Sequence, residues 1–220
     1  MSCWAQQVLD WSEVWAGLMP CAVLLYNKQP PVFRPVVCYV WLSLLINIAI
    51  DLIWKLGDRM PQQYHSNNFL YNLLSIVRFF LFSSFFVKLQ QPFLVGIKLL
   101  IILSFTLFVI VDFSLSEDFF NFSHFSSRLL SVEAFCLLFF VMQYYIYELK
   151  RDEAINIFTN QFWVVTGLGV YVSINFFVFL LYNRLSVQMQ RFAASLWNLH
   201  NLSFILFNMF LVRGFYGNKR

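Results

Sequence analysis

The sequence predicts an all-α polytopic membrane protein: one domain over residues 1–220, seven transmembrane helices, N-terminus outside and C-terminus inside. Three observations carry the prediction. Hydrophobic residues fill 60% of the 220 positions and charged residues only 12%, against roughly half and a quarter in soluble domains. The apolar residues gather into blocks of about 20, the length a helix needs to cross the hydrocarbon layer. Runs such as FLVGIKLLIILSFTLFVIV do not alternate, which sets aside the roughly 10-residue alternating strands of a membrane barrel. Helices then satisfy the backbone within lipid. This composition excludes a soluble enzyme, a disordered tail and a secreted disulfide scaffold. The four cysteines, Cys3, Cys21, Cys38 and Cys136, form no CxxC pair. They read as small hydrophobes, so no disulfide, metal or cofactor is expected.

The first block, Val8 to Asn27, is built around VWAGLMPCAVLLY and is diluted by Pro20. Asp10 and Glu13, ahead of that apolar stretch, dilute the block as well, and no basic stretch precedes them, so it reads as a retained helix rather than a cleaved signal. Pro30, Pro31 and Pro35 separate it from the second block, Pro35 to Lys55. The third runs from Asn68 to Val87, the fourth from Val95 to Phe113 and the fifth from Phe125 to Tyr147. The sixth spans Phe162 to Tyr182 and the seventh Ser195 to Val212. Trp4, Trp11, Trp15, Trp54, Trp163 and Trp197 fall near block ends and read as interface anchors. The 28 phenylalanines read as lipid contact and interhelical packing.

Orientation follows from the basic residues. With the N-terminus outside, the inner segments hold Lys28, Arg34, Lys88, Lys150, Arg151, Arg213, Lys219 and Arg220, and the outer ones Lys55, Arg59, Arg184 and Arg191. Eight against four favours N-out by the positive-inside rule. The net charge of +4 is thereby an orientation signal, and no nucleic-acid partner is expected because no basic face is clustered.

Ionisable residues inside spans are costly and mark function by default. Arg78 lies deepest, about ten residues from either end of the third block. It needs an anionic partner, and Glu133 and Asp51 lie at suitable depth. The expected arrangement is an Arg78–Glu133–Asp51 network in the outer half of the bundle. A buried ion pair also fixes helix register without binding anything. Lys98 is placed to snorkel inward, and Asp112 and Arg128 lie near outer ends.

Uncharged polar residues reach the same depth. Asn47 lies one turn from Asp51, Tyr71 and Asn72 open the third block, and Gln143 follows Glu133 along the fifth. Gly167, Tyr171 and Asn175 recur at intervals of four in the sixth, and Asn198, Asn201 and Asn208 run along the seventh beside His200. Such amides serve as packing glue. Converging at one level, they also suggest a hydrated pocket open to the outside, suited to a small or amphipathic ligand. Asp51, Arg78, Glu133, Asn175, His200 and Asn201 are the candidate ligand-binding residues. Asn47, Tyr71, Asn72, Gln143, Gly167, Tyr171, Asn198 and Asn208 form the candidate packing network. His65, His124 and His200 lack metal-ligand spacing. The last block has no lysine for a retinal-type Schiff base, and no GxSxG, HExxH or Walker motif occurs. Asn121-Phe-Ser and Asn201-Leu-Ser match the glycosylation pattern.

Four stretches carry a family resemblance: NIAIDLIW with Asp51, HSNNFLYNLLSIVRFFLF with Tyr71 and Asn72, SVEAFCLLFFVMQYYIYELK, and FWVVTGLGVYVSINFFVF with Phe162, Trp163, Gly167 and Tyr171. With these, the chain resembles the small seven-helix inner-membrane proteins of Bacteroidota that are often encoded beside two-component signalling genes. The base at Arg78 departs from that pattern, where an acid is usual. The resemblance implies a bacterial inner membrane and a signalling context, and no reaction.

The resulting functional expectation is a non-enzymatic sensor or receptor-like module. Its outward polar pocket would take a small-molecule or lipid ligand, and it would signal to a membrane partner such as a histidine kinase through NKQPPVFRP and ELKRDEAINIFTNQ. The alternatives are a small-solute or ion transporter or channel, with the same groups as a relay, and a structural subunit of a larger membrane complex. The absence of paired interrupted spans argues against an inverted-repeat transporter.

Overall fold

A computed structural model describes residues 3–56, 66–91, 94–116, 125–150 and 159–216. Every regular element among them is helical. Eight α-helices follow in order: α1 (Cys3–Asp10), α2 (Ser12–Tyr26), α3 (Arg34–Leu56), α4 (Asn68–Lys88), α5 (Val95–Val111), α6 (Ser127–Lys150), α7 (Asn160–Gln188) and α8 (Gln190–Tyr216). A 3-10 turn, Pro31–Phe33, leads into α3, and a π-turn, Asp112–Ser116, extends α5.

Among the described residues, six helices are long and apolar enough to cross a membrane. They correspond to the second through seventh sequence blocks, and a polytopic membrane protein fits them. The first block differs from expectation. It breaks at Trp11 into α1, with 8 residues, and α2, with 15. At 1.5 Å per residue α2 is only about 22 Å long, short of the roughly 30 Å hydrocarbon layer. The physical reason is on its buried side. Ser12, Glu13, Ala16, Gly17, Pro20 and Cys21 form one buried stripe. It is small and polar, so α2 packs into the bundle more than it faces lipid.

Helices α2, α3, α4, α6, α7 and α8 close a ring, each packed on the next and α8 returning to α2, while α5 lies outside against α4 and α6. Only Lys98 and Phe105 of α5 are buried, and Leu99, Leu100, Leu103 and Leu107 are exposed. Exposed leucine on this scale suits a lipid face. Lys98 does not snorkel. It is 4% exposed, and its Nζ donates to the Phe86 carbonyl at 3.2 Å. Phe86 is in the last turn of α4, where carbonyls lack helical partners and the helix dipole favours a cation.

One half of the ring is filled with aromatic rings. Phe79 stacks on Phe105 at 3.8 Å between centroids, and Phe86 on Phe140 at 5.4 Å. Phe82 meets Tyr39 at 5.0 Å and Phe207 at 5.9 Å, and Phe33 sits 5.6 Å from Phe85. All of these rings are buried. The layer occupies the end that carries the α2–α3 connection, the C-termini of α4, α6 and α8, and the N-terminus of α7. The other end holds the polar groups. At the aromatic end α7 and α8 approach closely at Gly167, where an added Cβ would overlap the Phe210 Cβ. At the polar end a single residue, Met189, connects the two helices.

Candidate functional site

Arg78 enters the ring from the middle of α4 and is 4% exposed. Its guanidinium forks onto Glu133 of α6: Nε donates to Oε1 at 2.7 Å and an Nη to Oε2 at 2.5 Å. The other Nη donates to the Tyr171 hydroxyl of α7 at 2.7 Å, and the Ser75 hydroxyl donates to Glu133 Oε2 at 3.1 Å. Glu133 is wholly buried. A bidentate fork with a further N–H given to a hydroxyl is the geometry a buried pair needs to offset desolvation.

Asp51 does not belong to this network, which corrects the expected three-membered arrangement. Arg78 directs three of its five N–H groups to Glu133 and Tyr171, while Asp51 lies in the wall of the vestibule beyond Tyr71. The second acid in the interior is Glu13 of α2, whose place ahead of an apolar stretch predicts only a diluting charge. Glu13 is 5% exposed. The Tyr71 hydroxyl donates to its Oε2 at 3.2 Å, and its Oε1 faces His200 Nε2 at 3.5 Å. His200 Nδ1 lies 2.5 Å from Asn175 Oδ1, while Asn175 Nδ2 donates to the Tyr171 carbonyl and to Ser203 Oγ, both at 2.8 Å. With Asn175 offering only its oxygen, Nδ1 carries the histidine proton.

The remaining candidates act mostly as staples. Asn47 Nδ2 donates to the Glu13 carbonyl and to Ser43 Oγ, both at 3.4 Å. Asn201 Nδ2 donates to the Leu9 carbonyl at 3.1 Å, and Asn198 pairs with Gln6 at 3.0 Å, so both tie α8 to α1. Asn72 Oδ1 accepts from the Ser126 amide at 3.1 Å at the head of α6, and Asn208 bonds back to the Phe204 carbonyl at 2.8 Å. Gln143 is buried in the half of α6 beyond Glu133. Gly167 is the close-approach point described above. His65, His124, Asn121, Arg59, Glu117, Asp118, Arg151, Lys219 and Arg220 lie outside the described residues, as do the side chains of Arg184 and Arg191.

The expected single pocket is divided in two. The inner part, between Glu13, Asn47, Arg78, Tyr171 and His200, is a void of about 10 Å³, room for a single water. The outer part is an open vestibule of about 360 Å³ between the ends of α3, α4, α7 and α8, walled by Asp51, Trp54, Asn67, Asn68, Phe125, Tyr182 and Trp197, with Asp10 at the rim. A neighbouring hollow of about 450 Å³ shares Asp10, Tyr182 and Trp197 with it. Tyr71 lines both the vestibule and the void. It is the partition between them, and its hydroxyl is the link from the vestibule to Glu13. Trp197, expected as a lipid anchor, instead packs its ring against Tyr71 at 5.3 Å and His200 at 5.1 Å. A third hollow of about 620 Å³ opens sideways between α6 and α7 beside Arg128, whose guanidinium pairs with Asp112 at 2.9 Å.

Comparison with protein-family models, curated proteins and solved structures finds no match for this chain.

Proposed function

We propose that the protein is a receptor-like sensor of a bacterial inner membrane, N-terminus outside, with α2 completing a seven-helix bundle. A small ligand enters the vestibule over Tyr71, and its binding biases the packing of α2, α4 and α8 through the Tyr71–Glu13–His200 links. The observation that carries the reading is a polar path that begins at an open vestibule and ends blind. It passes Tyr71 and a one-water void, reaches Arg78–Glu133, and meets the buried phenylalanine layer. A transporter needs a second opening, and that layer stands where it would be. A ligand shifts such a bundle only by its differential affinity for two packings, and Tyr71 is placed to supply that difference. Signalling then passes to a membrane partner, a histidine kinase in the context that the sequence resemblance implies, through the segments at the aromatic end.

Two measurements test this. Gentle purification from native membranes, followed by mass spectrometry, is expected to bring a kinase in near-equal amount. Reconstituted into vesicles with an internal pH dye, the protein is expected to pass no protons. A proton flux that Glu133→Gln abolishes would replace the receptor with a transporter.

A further inference from the structure

The vestibule has a distinctive chemistry. Four of its rings meet at steep angles. Tyr71 and Trp197 lie 86° apart at 5.3 Å, Tyr71 and Phe125 78° apart at 6.1 Å, and Phe125 and Tyr182 64° apart at 5.4 Å. Walls of this kind offer ring face as well as ring edge, and the face of an aromatic ring is its negative side. Asp51 and Asp10 add carboxylates, and among the described residues no lysine or arginine lines the hollow. Glu13 lies just beneath, behind Tyr71. Lys55, one turn along α3, acts electrostatically on Asp51 and rests its Nζ 3.8 Å from the Trp11 ring centroid, outside the lining of the hollow.

We infer that the vestibule binds a small organic cation, an ammonium group on an apolar or aromatic body, with Asp51 accepting its N–H and Tyr71, Tyr182 and Trp197 enclosing it. Three features converge on this class. Ring faces attract ammonium groups, the Asp51 and Asp10 carboxylates line the hollow, and a cavity of about 360 Å³ is at the small end of ligand pockets. An anionic ligand would meet two carboxylates and no described cation. The inference rests on the receptor reading and names its ligand class.

The test uses the detergent-purified full chain and three probes of one shape: 2-phenylethylammonium, the neutral 2-phenylethanol and the anionic phenylacetate. Choline serves as a second cation. Binding is read by equilibrium dialysis and by the shift in thermal unfolding. At least one cation is expected to bind saturably and about tenfold or more tighter than the alcohol, with phenylacetate weakest. Asp51→Asn is expected to erase most of that preference, and Trp197→Phe to weaken the cation while retaining part of it. Trp163→Phe, at the opposite end, is expected to change nothing. If the alcohol or phenylacetate binds as well as the cations, the cation assignment is overturned and the receptor reading stands. If neither cation binds, the assignment is overturned too, and the vesicle flux measurement then decides the receptor reading separately.

Discussion

Removing Glu133 should strand Arg78 in the middle of the bundle. The Glu133→Ala variant deletes both acceptors of the fork, at 2.7 and 2.5 Å, and leaves neutral hydroxyls, the Tyr171 one at 2.7 Å, for a guanidinium that is 4% exposed. Hydrogen bonds to charged groups contribute about 1.5–3 kcal/mol each, and two of them agree with the roughly 3–5 kcal/mol lost when one partner of a buried pair is removed. Within a membrane the unfolded chain also finds partners, so the expected cost is about 3 kcal/mol. Arg78→Ala should cost about as much, because Glu133 is wholly buried. The double variant should then lose far less than the sum, with a coupling of at least about 2 kcal/mol. Replacing the pair by Arg78→Met and Glu133→Leu should recover most of the stability. The assay is reversible unfolding in mixed micelles, read by circular dichroism or a folding-sensitive pulldown. Additive single variants would refute the reasoning, since they would mean that the two charges do not depend on each other.

Further outcomes follow from single contacts. Gly167→Ala should destabilise by about 1–3 kcal/mol through overpacking, because its Cβ meets Phe210; Gly96→Ala, with nothing within 4 Å, should stay within about 1 kcal/mol of the parent in the same unfolding assay. Lys98→Met keeps the apolar stem but loses the cap on α4, and should cost about 0.5–2 kcal/mol; hydrogen exchange at Phe85, Phe86 and Val87 should accelerate, and unchanged exchange there would contradict the capping role. His200→Phe removes the donor to Asn175 and should cost about 1–3 kcal/mol, whereas Asn208→Leu, which loses only a bond to its own helix, should cost less. A lipid-soluble maleimide should label exposed Cys38 well before buried Cys21, measured by mass of the intact chain; equal rates would contradict the packing of α2.

The long apolar blocks were legible because about 20 apolar residues have few other uses. So was the need of Arg78 for an acid, since desolvation leaves a mid-span base no alternative. Choosing between Glu133 and Asp51 required the rotation of α3, α4 and α6 about their axes, which short connections do not encode. Glu13 was missed because a charge ahead of an apolar block reads as a solvated flank. One signal could have found it: Ser12, Glu13, Ala16, Gly17, Pro20 and Cys21 fall on one helical face, and small residues on one face mark a packed seam. The vestibule was harder still. Asp51, Tyr71, Tyr182 and Trp197 come from four helices, and no local pattern connects them. Trp197 near a helix end looks the same whether it faces headgroups or a hollow.

A receptor of this kind requires a polar path that opens at one end only. A cysteine scan along α8 tests it, placing single cysteines at Asn198, Asn201, Phe204, Phe207 and Asn208 in an otherwise cysteine-free chain. Each is probed with a membrane-impermeant thiol reagent from either side of sealed vesicles. Labelling should be strong at 198 from the outer side, weak at 201, and absent from both sides at 204, 207 and 208. Labelling at 207 or 208 from the inner side, continuous with that at 198, would show water passing through the phenylalanine layer and would contradict the blind-ended site.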